Sequence, residues 1–478
     1  MARTKRTTVK STVEAESASA QSIPPSALQN GAVEVSTRSS ETQASPKRVP
    51  KSTKRNTKRD NAPSAQSDST FATPRTEAVT SSVQLSVSTP AIVSDPSELQ
   101  EHPTTSTVAQ DHLMPWREQI REALAKQRKL RIVGGASKTW YGRSASSIDT
   151  DGSERGGVVE VDDFHTRAYA GVMEYEPSEL YIKAKAGTLL SEVNVLLDQH
   201  QQMLAFEPPL FGPSATIGGM LACGISGPRR AYTAAIKDHV LGITLLNGRA
   251  EVLRFGAKVI KNVAGFDVPR LCVGSLGKLG AVMEVTLKVV PKPQVECSLV
   301  FAMSEHDAML ALHRWAQECL PISASCYYAG RLSIRLSGLV EVIEQTHHKL
   351  GGLRIDNDAQ FWQSVREQEH FFFAAEPAMP LWRLSLPSSA PAPEFRCKSL
   401  IEWGGAQRWL WTMENAEVVR SFARQMRGHA TMFRNVPTGE LAFSDVSAAQ
   451  RVLEERIRMV FDPAGVFDLG RNDRSNHR

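Results

Sequence analysis

Apolar residues recur along this chain with two different periods, and the periods sort its middle into helices and strands. From Trp116 to Gln127 (WREQIREALAKQ), Trp116, Ile120, Ala123 and Leu124 fall on one helical face and Pro115 suits a first turn, which predicts a helix. Leu180 to Ala186 (LYIKAKA) alternates as a half-buried strand does; after Gly187-Thr188 the spacing of Leu190, Val193, Leu196 and Leu197 turns helical. His239 to Leu246 (HVLGITLL) and Ala250 to Phe255 (AEVLRF) flank Asn247-Gly248, the pair that most favours a tight type I′ hairpin. Val282 to Val290 alternates again and stops at Pro291, while farther on Arg331 to Leu336 (RLSIRL) reads as a strand and Phe361 to Glu369 (FWQSVREQE) as a helix. The stretch 113–292 therefore predicts a mixed α+β domain, with more strand than a doubly wound dinucleotide fold would show.

Ahead of this pattern the texture is different. Up to His112 about a third of residues are Ser or Thr and Phe71 is the only aromatic, so little apolar surface exists to offset the ordering of the backbone. Residues 1–112 read as a disordered tail. Its basic run Lys47 to Arg59 (KRVPKSTKRNTKR) suits a solvated arm or contact with anionic surfaces. The start lacks the apolar core of a secretory signal, and organelle targeting stays an open alternative.

Composition narrows the classes. The 478 residues are 41% hydrophobic, and no apolar stretch approaches the roughly 20 residues of a membrane span, which excludes an integral helical membrane protein. A net charge of +5 from 56 basic and 51 acidic residues is too balanced for a nucleic-acid surface. The six cysteines lie far apart with no C-x-x-C pair, which argues against a metal cluster or a disulfide scaffold and fits a reducing compartment.

Glycine carries the candidate chemistry. Three clusters stand out: Val133 to Gly142 (VGGASKTWYG), Pro213 to Arg230 (PSATIGGMLACGISGPRR) and Lys261 to Gly280 (KNVAGFDVPRLCVGSLGKLG). Neither G-x-G-x-x-G after a strand nor G-x-x-x-x-G-K-[ST] occurs, so Rossmann and P-loop sites have no support. In Gly134-Gly135-Ala136-Ser137 and Thr216-Ile217-Gly218-Gly219, missing side chains let successive N–H groups turn into one concavity, and two such loops suit a pyrophosphate.

These clusters, together with IEWGGAQRWL (401–410), RGHATMFR (427–434) and DPAGVFDLGR (462–471), resemble the PCMH-type FAD-binding fold of the vanillyl-alcohol-oxidase superfamily. Within it the chain is most similar to the E subunits of bacterial glycolate oxidases, from about residue 113 to 471, and the tail has no counterpart. The resemblance implies a PCMH-type FAD-binding domain of two α+β subdomains at 113–292, an α+β cap domain at 293–428 rich in tryptophan, and a segment 429–478 returning to the FAD domain. It implies a first pyrophosphate loop of Gly134, Gly135, Ala136, Ser137 and Gly142, and a second wall of Pro213, Ser214, Thr216, Gly218 and Gly219. Ala222, Cys223, Gly224, Ser226 and Gly227 would line the ribityl chain and isoalloxazine edge, and Gly274, Ser275, Gly277 and Val282 the adenine end. Cys223 reads as a small buried hydrophobe, because no His or Lys beside it in sequence would lower its thiol pKa. The first loop holds neither His nor Cys, so FAD is expected to be held noncovalently.

Catalytic residues are not assigned by these patterns. Arg229, Arg230 and Lys261 are candidates to orient an acidic substrate or stabilise reduced flavin, with a solvated basic turn or a salt bridge to Asp238 or Asp267 as the plainer role for each. Catalytic D-2-hydroxy-acid dehydrogenases of the fold carry H-x-G-D-G-N-x-H; here only His429 remains, which leaves no metal set and makes His429 either a structural residue or a lone general base. The resemblance thus implies an FAD subunit of a glycolate-oxidase-type complex, acting on a small 2-hydroxy acid beside a second FAD subunit and an iron-sulfur subunit. The expected location is the cytoplasm, with at most peripheral contact at the inner membrane. A self-sufficient 2-hydroxy-acid dehydrogenase and a flavin-free scaffold are the alternatives.

Overall fold

In the computed structural model of the chain, two antiparallel sheets meet across a layer of glycine-rich loops. The structure describes residues 112–142, 160–256, 266–376, 378–444 and 446–469, all within one compact unit. The expectations for the tail, for its basic run and for Lys261 lie outside the described residues. No helix among the described residues is long and apolar enough to cross a membrane.

The first half opens with the helix Met114–Lys126, which buries Ile120 and Ala123 as its spacing predicts. It leads into β1 (Lys129–Val133), paired in parallel with β2 (Val161–His165). β3 (Val172–Glu176), β4 (Tyr181–Lys185), β6 (Val240–Leu246), β7 (Val252–Gly256) and β8 (Ala281–Lys288) form a five-stranded sheet in the order β3-β4-β8-β6-β7. The short strands β5 (Gln202–Met203) and β9 (Val290–Pro291) pair separately. The central strand β8 is buried from Ala281 to Leu287, and the helix Leu190–Gln199 packs Leu190, Val193 and Leu197 into the same core as Val285 and Leu287.

The expected hairpin forms, but its turn is longer than two residues. Leu246 pairs with Val252, leaving 247–251 as the loop. Asn247 Oδ1 accepts from the N–H groups of Arg249 and Glu251, and Ala250 takes the left-handed conformation at φ 61°. Gly248 is needed for a different reason: a Cβ there would stand 2.1 Å from Asp462 Oδ1.

The second half builds an eight-stranded sheet from β10 (Val295–Ala302), β11 (Ile322–Tyr328), β12 (Arg331–Gly338), β13 (Leu353–Arg354), β14 (Leu381–Ser385), β15 (Lys398–Glu402), β16 (Gln407–Trp411) and β17 (His429–Arg434). Its order is β13-β10-β12-β11-β15-β16-β14-β17, so the strand starting at His429 closes one edge of this sheet. Directly opposed residues of antiparallel strands share a face. One face, with Leu384, Leu410 and Ala430, is covered by Val419 and Ala423 of the helix Ala416–Gln425; towards the other edge Leu332 and Ile334 pack on the helix Glu305–Gln317. The other face carries Cys326, Leu400, Trp409, Trp411 and Phe433 and packs on Tyr141, Ile225 and Cys223 from the glycine-rich loops.

Candidate functional site

The structure brings the three glycine clusters into contact. The first follows β1 directly, and its approach to the second leaves no room for side chains: a Cβ on Gly135 would lie 1.5 Å from Ser214 O, and one on Gly134 would lie 2.7 Å from Thr216 Oγ1. Thr216 caps the helix Ile217–Cys223, its hydroxyl accepting from Gly219 N–H at 3.2 Å. The third cluster hangs on that helix, with Gly274 N–H donating to Leu221 O and Leu276 N–H to Ala222 O, both at 3.0 Å. Gly142 seats against Phe443 and Leu276, and Gly224 against Gly274.

Not every nominated residue faces the same way. Gly227 is turned toward Glu207 O, and the buried Ser226 hydroxyl accepts from Ile236 N–H. Ser137 Oγ accepts from Lys138, Ser275 N–H donates to Cys272 O, Gly277 rests on Ile132, and Val282 stands opposite Leu245 within β8. Ala136 is left-handed at φ 56° in the first loop, Pro213 is exposed beside Ser214, and Gly218 is packed on Ala186.

The convergence leaves a cradle whose chemistry suits FAD. A Cβ on Gly274 would meet nothing within 4 Å and one on Gly219 only Thr216 Oγ1, so both backbones border open space. Two cations overlook Phe211: Lys138 Nζ at 5.5 Å from the ring centroid, and Arg434, which also stacks at 4.8 Å on Trp140. Arg434 Nε is buried without a hydrogen-bond partner. Burial pushes both side chains below their ordinary pKa values. Desolvated cations beside aromatic rings and bare backbone are what a dinucleotide with a pyrophosphate and flat rings requires. Lys138 also interacts electrostatically with Cys223, a neighbour that lies 85 positions farther along the sequence.

Across from this cradle, one row of the eight-stranded sheet is polar. Cys326 opposes Glu402, Glu402 opposes Gln407, Gln407 opposes Ser385, and Ser385 opposes His429. The next row holds Leu400, Trp409, Arg383 and Thr431 on the same face. Arg383 has only the Tyr141 hydroxyl as a described hydrogen-bond partner, at 3.4 Å, and lies over Phe433. Arg230 stacks on Trp403 at 4.4 Å. Desolvation and then the Arg383 charge push Arg230 down; desolvation on its packed side, then Arg383 and Arg230, push the His429 imidazole down. Asp238 and Asp267, the carboxylates the sequence offered to Arg229 and Arg230, pair with Arg270 instead, at 3.7 and 3.2 Å. Arg230 and Arg383 thus form a pair of cations beside a His429 imidazole held towards its neutral form, with no described carboxylate within ion-pair distance of Arg230 or Arg383, although the Asp238 charge partly offsets the effect on Arg230.

Arg229 has the opposite environment. It is 4% exposed and pairs with Glu207 at 3.3 Å and with Glu296, while Arg335 reaches Glu207 at 2.9 Å. Ser337 and Ser323 complete this network. Burial works against the Glu296 carboxylate, yet Arg335 and Arg229 hold its carboxyl below the ordinary value. Arg229 therefore ties the second glycine cluster to β10 and β12, a structural role rather than an open substrate contact. Sequence reading also missed Glu402 and Arg383, because only strand register puts them on this face. Among the described residues no group of three His, Cys, Asp or Glu side chains is arranged to hold a metal ion.

A family profile described as an FAD binding domain matches residues 116–256. The chain is 38% identical over 354 residues to glycolate oxidase subunit GlcE of Escherichia coli (strain K12), covering 74% of this chain and 95% of that protein. It is 29% identical over 200 residues to glycolate oxidase subunit GlcD of Bacillus subtilis (strain 168), covering 36% of this chain and 41% of that one. Over 140 residues it is 31% identical to D-lactate dehydrogenase of Anaerostipes hadrus, 29% of each chain. A solved structure of alkyldihydroxyacetonephosphate synthase matches at TM-score 0.51 with 14% identity over 73% of both chains, a likeness of fold.

Proposed function

The chain belongs to the glycolate oxidase subunit GlcE family, with the PCMH-type α+β fold, FAD as cofactor and oxidation of CH–OH donors as its chemistry, and from that premise we propose how its own residues divide the work. FAD is held noncovalently where the three glycine clusters meet, by the backbone of Gly134 to Ser137 and Gly142, of Ser214, Thr216 and Gly219, of Ala222 to Gly224, and of Gly274 and Ser275, whereas Gly218, Ser226, Gly227, Gly277 and Val282 are turned to protein neighbours and shape the cradle from behind. Bound there, FAD supplies a two-electron acceptor. The division into an FAD domain at 113–292 and a cap from 293 goes with this reading, but the cap ends after Arg434 rather than at 428, because His429–Arg434 is the edge strand of its sheet and the returning segment begins beyond it.

The observation that carries the proposal is the pair of arginines opposite the cradle, neither of which has a described ion pair. Arg230 and Arg383, held in a partly desolvated setting without a carboxylate, are suited to the carboxylate of a small 2-hydroxy acid such as glycolate. Trp403 and Phe433 orient the two guanidinium planes, and the packed aromatic face around Trp409 limits water. Electrons leave through a second flavin subunit and an iron-sulfur subunit, since the six cysteines of this chain offer no C-x-x-C pair.

The test has two arms. The purified chain should be yellow, release FAD on acid treatment, and lose flavin retention in Gly219→Leu while remaining folded. Sustained glycolate turnover should require co-expression with the second flavoprotein and the iron-sulfur subunit, the isolated chain giving one anaerobic flavin bleaching and little more. A colourless folded chain that binds no added FAD overturns the first arm; robust turnover without partners overturns the second.

A further inference from the structure

The polar row on the cap sheet contains a carboxyl that neither the Arg229 network nor the Arg230–Arg383 pair uses. Glu402 is 4% exposed. Its described donors, Trp409 Nε1 at 2.6 Å and Gln407 Nε2 at 2.9 Å, both bond Oε2, which leaves Oε1 without a described donor. No described cation lies within ion-pair distance of it. A carboxylate meant only to hold the sheet together would be paired or solvated, because an isolated buried charge is costly.

Its position matters as much as its isolation. Glu402 ends β15, and the next residue, Trp403, donates to Gly227 O in the second glycine cluster and carries the Arg230 guanidinium on its ring. Arg383 stands two strands away, about 10 Å across the sheet plus one step along it. Both side chains stand on the same face of the sheet, with Gln407 and Trp409 of the intervening strand between them. Gln407 and Ser385 line the row between Glu402 and His429.

Resting on the proposed function, we infer that Glu402 accepts the hydroxyl proton of the 2-hydroxy acid as it is oxidised. The O–H proton passes to the carboxylate, and the oxygen electron pair forms the new C=O bond. The C–H bond breaks and its hydrogen leaves with both electrons, as hydride, to FAD, the two-electron oxidant named above. The carboxylate of the acid stays on Arg230 and Arg383. Environment favours such an acceptor at neutral pH: burial pushes the Glu402 carboxyl up to about 7, against the pull of the Trp409 and Gln407 hydrogen bonds. The titratable groups facing it are Cys326 on β11, whose thiol burial raises well above its ordinary value, and Glu207, whose charge raises Glu402 further. Arg408 of β16 faces the opposite side, bonding Ala390 O and Glu305. This role also accounts for how the chain manages with a single histidine near its site.

The experiment uses the full complex with FAD bound. With glycolate under anaerobic conditions, the rate of flavin bleaching should rise with pH through an apparent pKa near 7. Glu402→Gln should lower the plateau rate by about 10²- to 10⁴-fold and flatten that profile, with Glu402→Asp recovering part of the rate. FAD content, and oxalate affinity read from the flavin spectrum at pH 8, should stay within about twofold, since the anion and cofactor contacts are intact. Infrared difference spectroscopy gives a readout free of turnover: a protonated carboxyl band titrating near neutrality in the wild type and missing in Glu402→Gln. A variant with the wild-type rate and profile overturns the inference, as does the absence of that band in the wild type, which decides the matter even if the variant does not fold. Wild-type flavin that neither glycolate nor D-lactate reduces sinks the functional proposal first and this inference with it.

Discussion

Arg229 and Arg230 are neighbours in sequence and opposites in environment. The first is buried among Glu207, Glu296, Ser337 and, through the shared carboxylates, Arg335, so its charge is compensated. The second lies half-buried on Trp403 with Arg383 as a like-charged neighbour. The paired cluster joins the loop layer to the cap sheet. The unpaired cluster keeps electrostatic potential in reserve for a ligand. Two guanidinium groups one residue apart can thus serve stability and binding separately, because the turn between them sends their side chains to different partners.

Three substitutions break or sharpen this contrast. Arg229→Ala leaves the largely buried Glu207 and the one-third exposed Glu296 short of a partner and should cost about 3 kcal/mol of stability, read from denaturant midpoints at constant slope. An unchanged midpoint would mean that Arg335 alone neutralises the cluster.

Glu402 contributes through pH. Its folded-state pKa of about 7 lies above the ordinary value of 4.5, so between these limits the native state binds the proton more tightly than the unfolded chain. Stability should therefore fall as pH rises from about 4.5 to 7, by on the order of 3 kcal/mol, and the decline should be absent in Glu402→Gln. Parallel curves for the two proteins would show that the carboxyl is not held protonated by burial.

The smallest expected effect is Arg383→Met. Removing one member of a like-charged group should leave thermal stability within about 1 kcal/mol, while weakening the binding of glycolate or oxalate about 10- to 100-fold, the worth of a charge-assisted contact. A large stability loss with unaltered anion affinity would move Arg383 into the structural class with Arg229.

Local chemistry made some of this site legible in the sequence. Glycine runs restrict the chain to tight loops whatever lies nearby, and Gly134-Gly135, Thr216 to Gly219 and Gly274 do meet. The helix from Met114 and the strand at β8 follow from periodicity alone. What stayed hidden depends on long-range register. Arg383 and Glu402 belong to unremarkable strands until β16 is laid between β14 and β15. The partners of Arg229 come from 22 and 67 positions away, and separation along the chain does not distinguish them from Asp238 and Asp267. Asn247-Gly248 misled for a related reason: the glycine answers to Asp462 across the fold rather than to its own turn.

That Asp462 contact has a temporal side. Asp462 accepts from the N–H groups of Val466 and Phe467, Gly248 N–H donates to Phe461 O, Leu130 N–H donates to Val466 O, and Lys129 Nζ reaches Gly465 O. β1, which delivers the first glycine-rich loop, is therefore moored to a segment synthesised more than 330 residues later. During translation the loop emerges early and its mooring late. Until residues near 467 have left the ribosome, that loop has no fixed place in which to receive a cofactor, and cofactor acquisition becomes one of the final steps in the maturation of the chain.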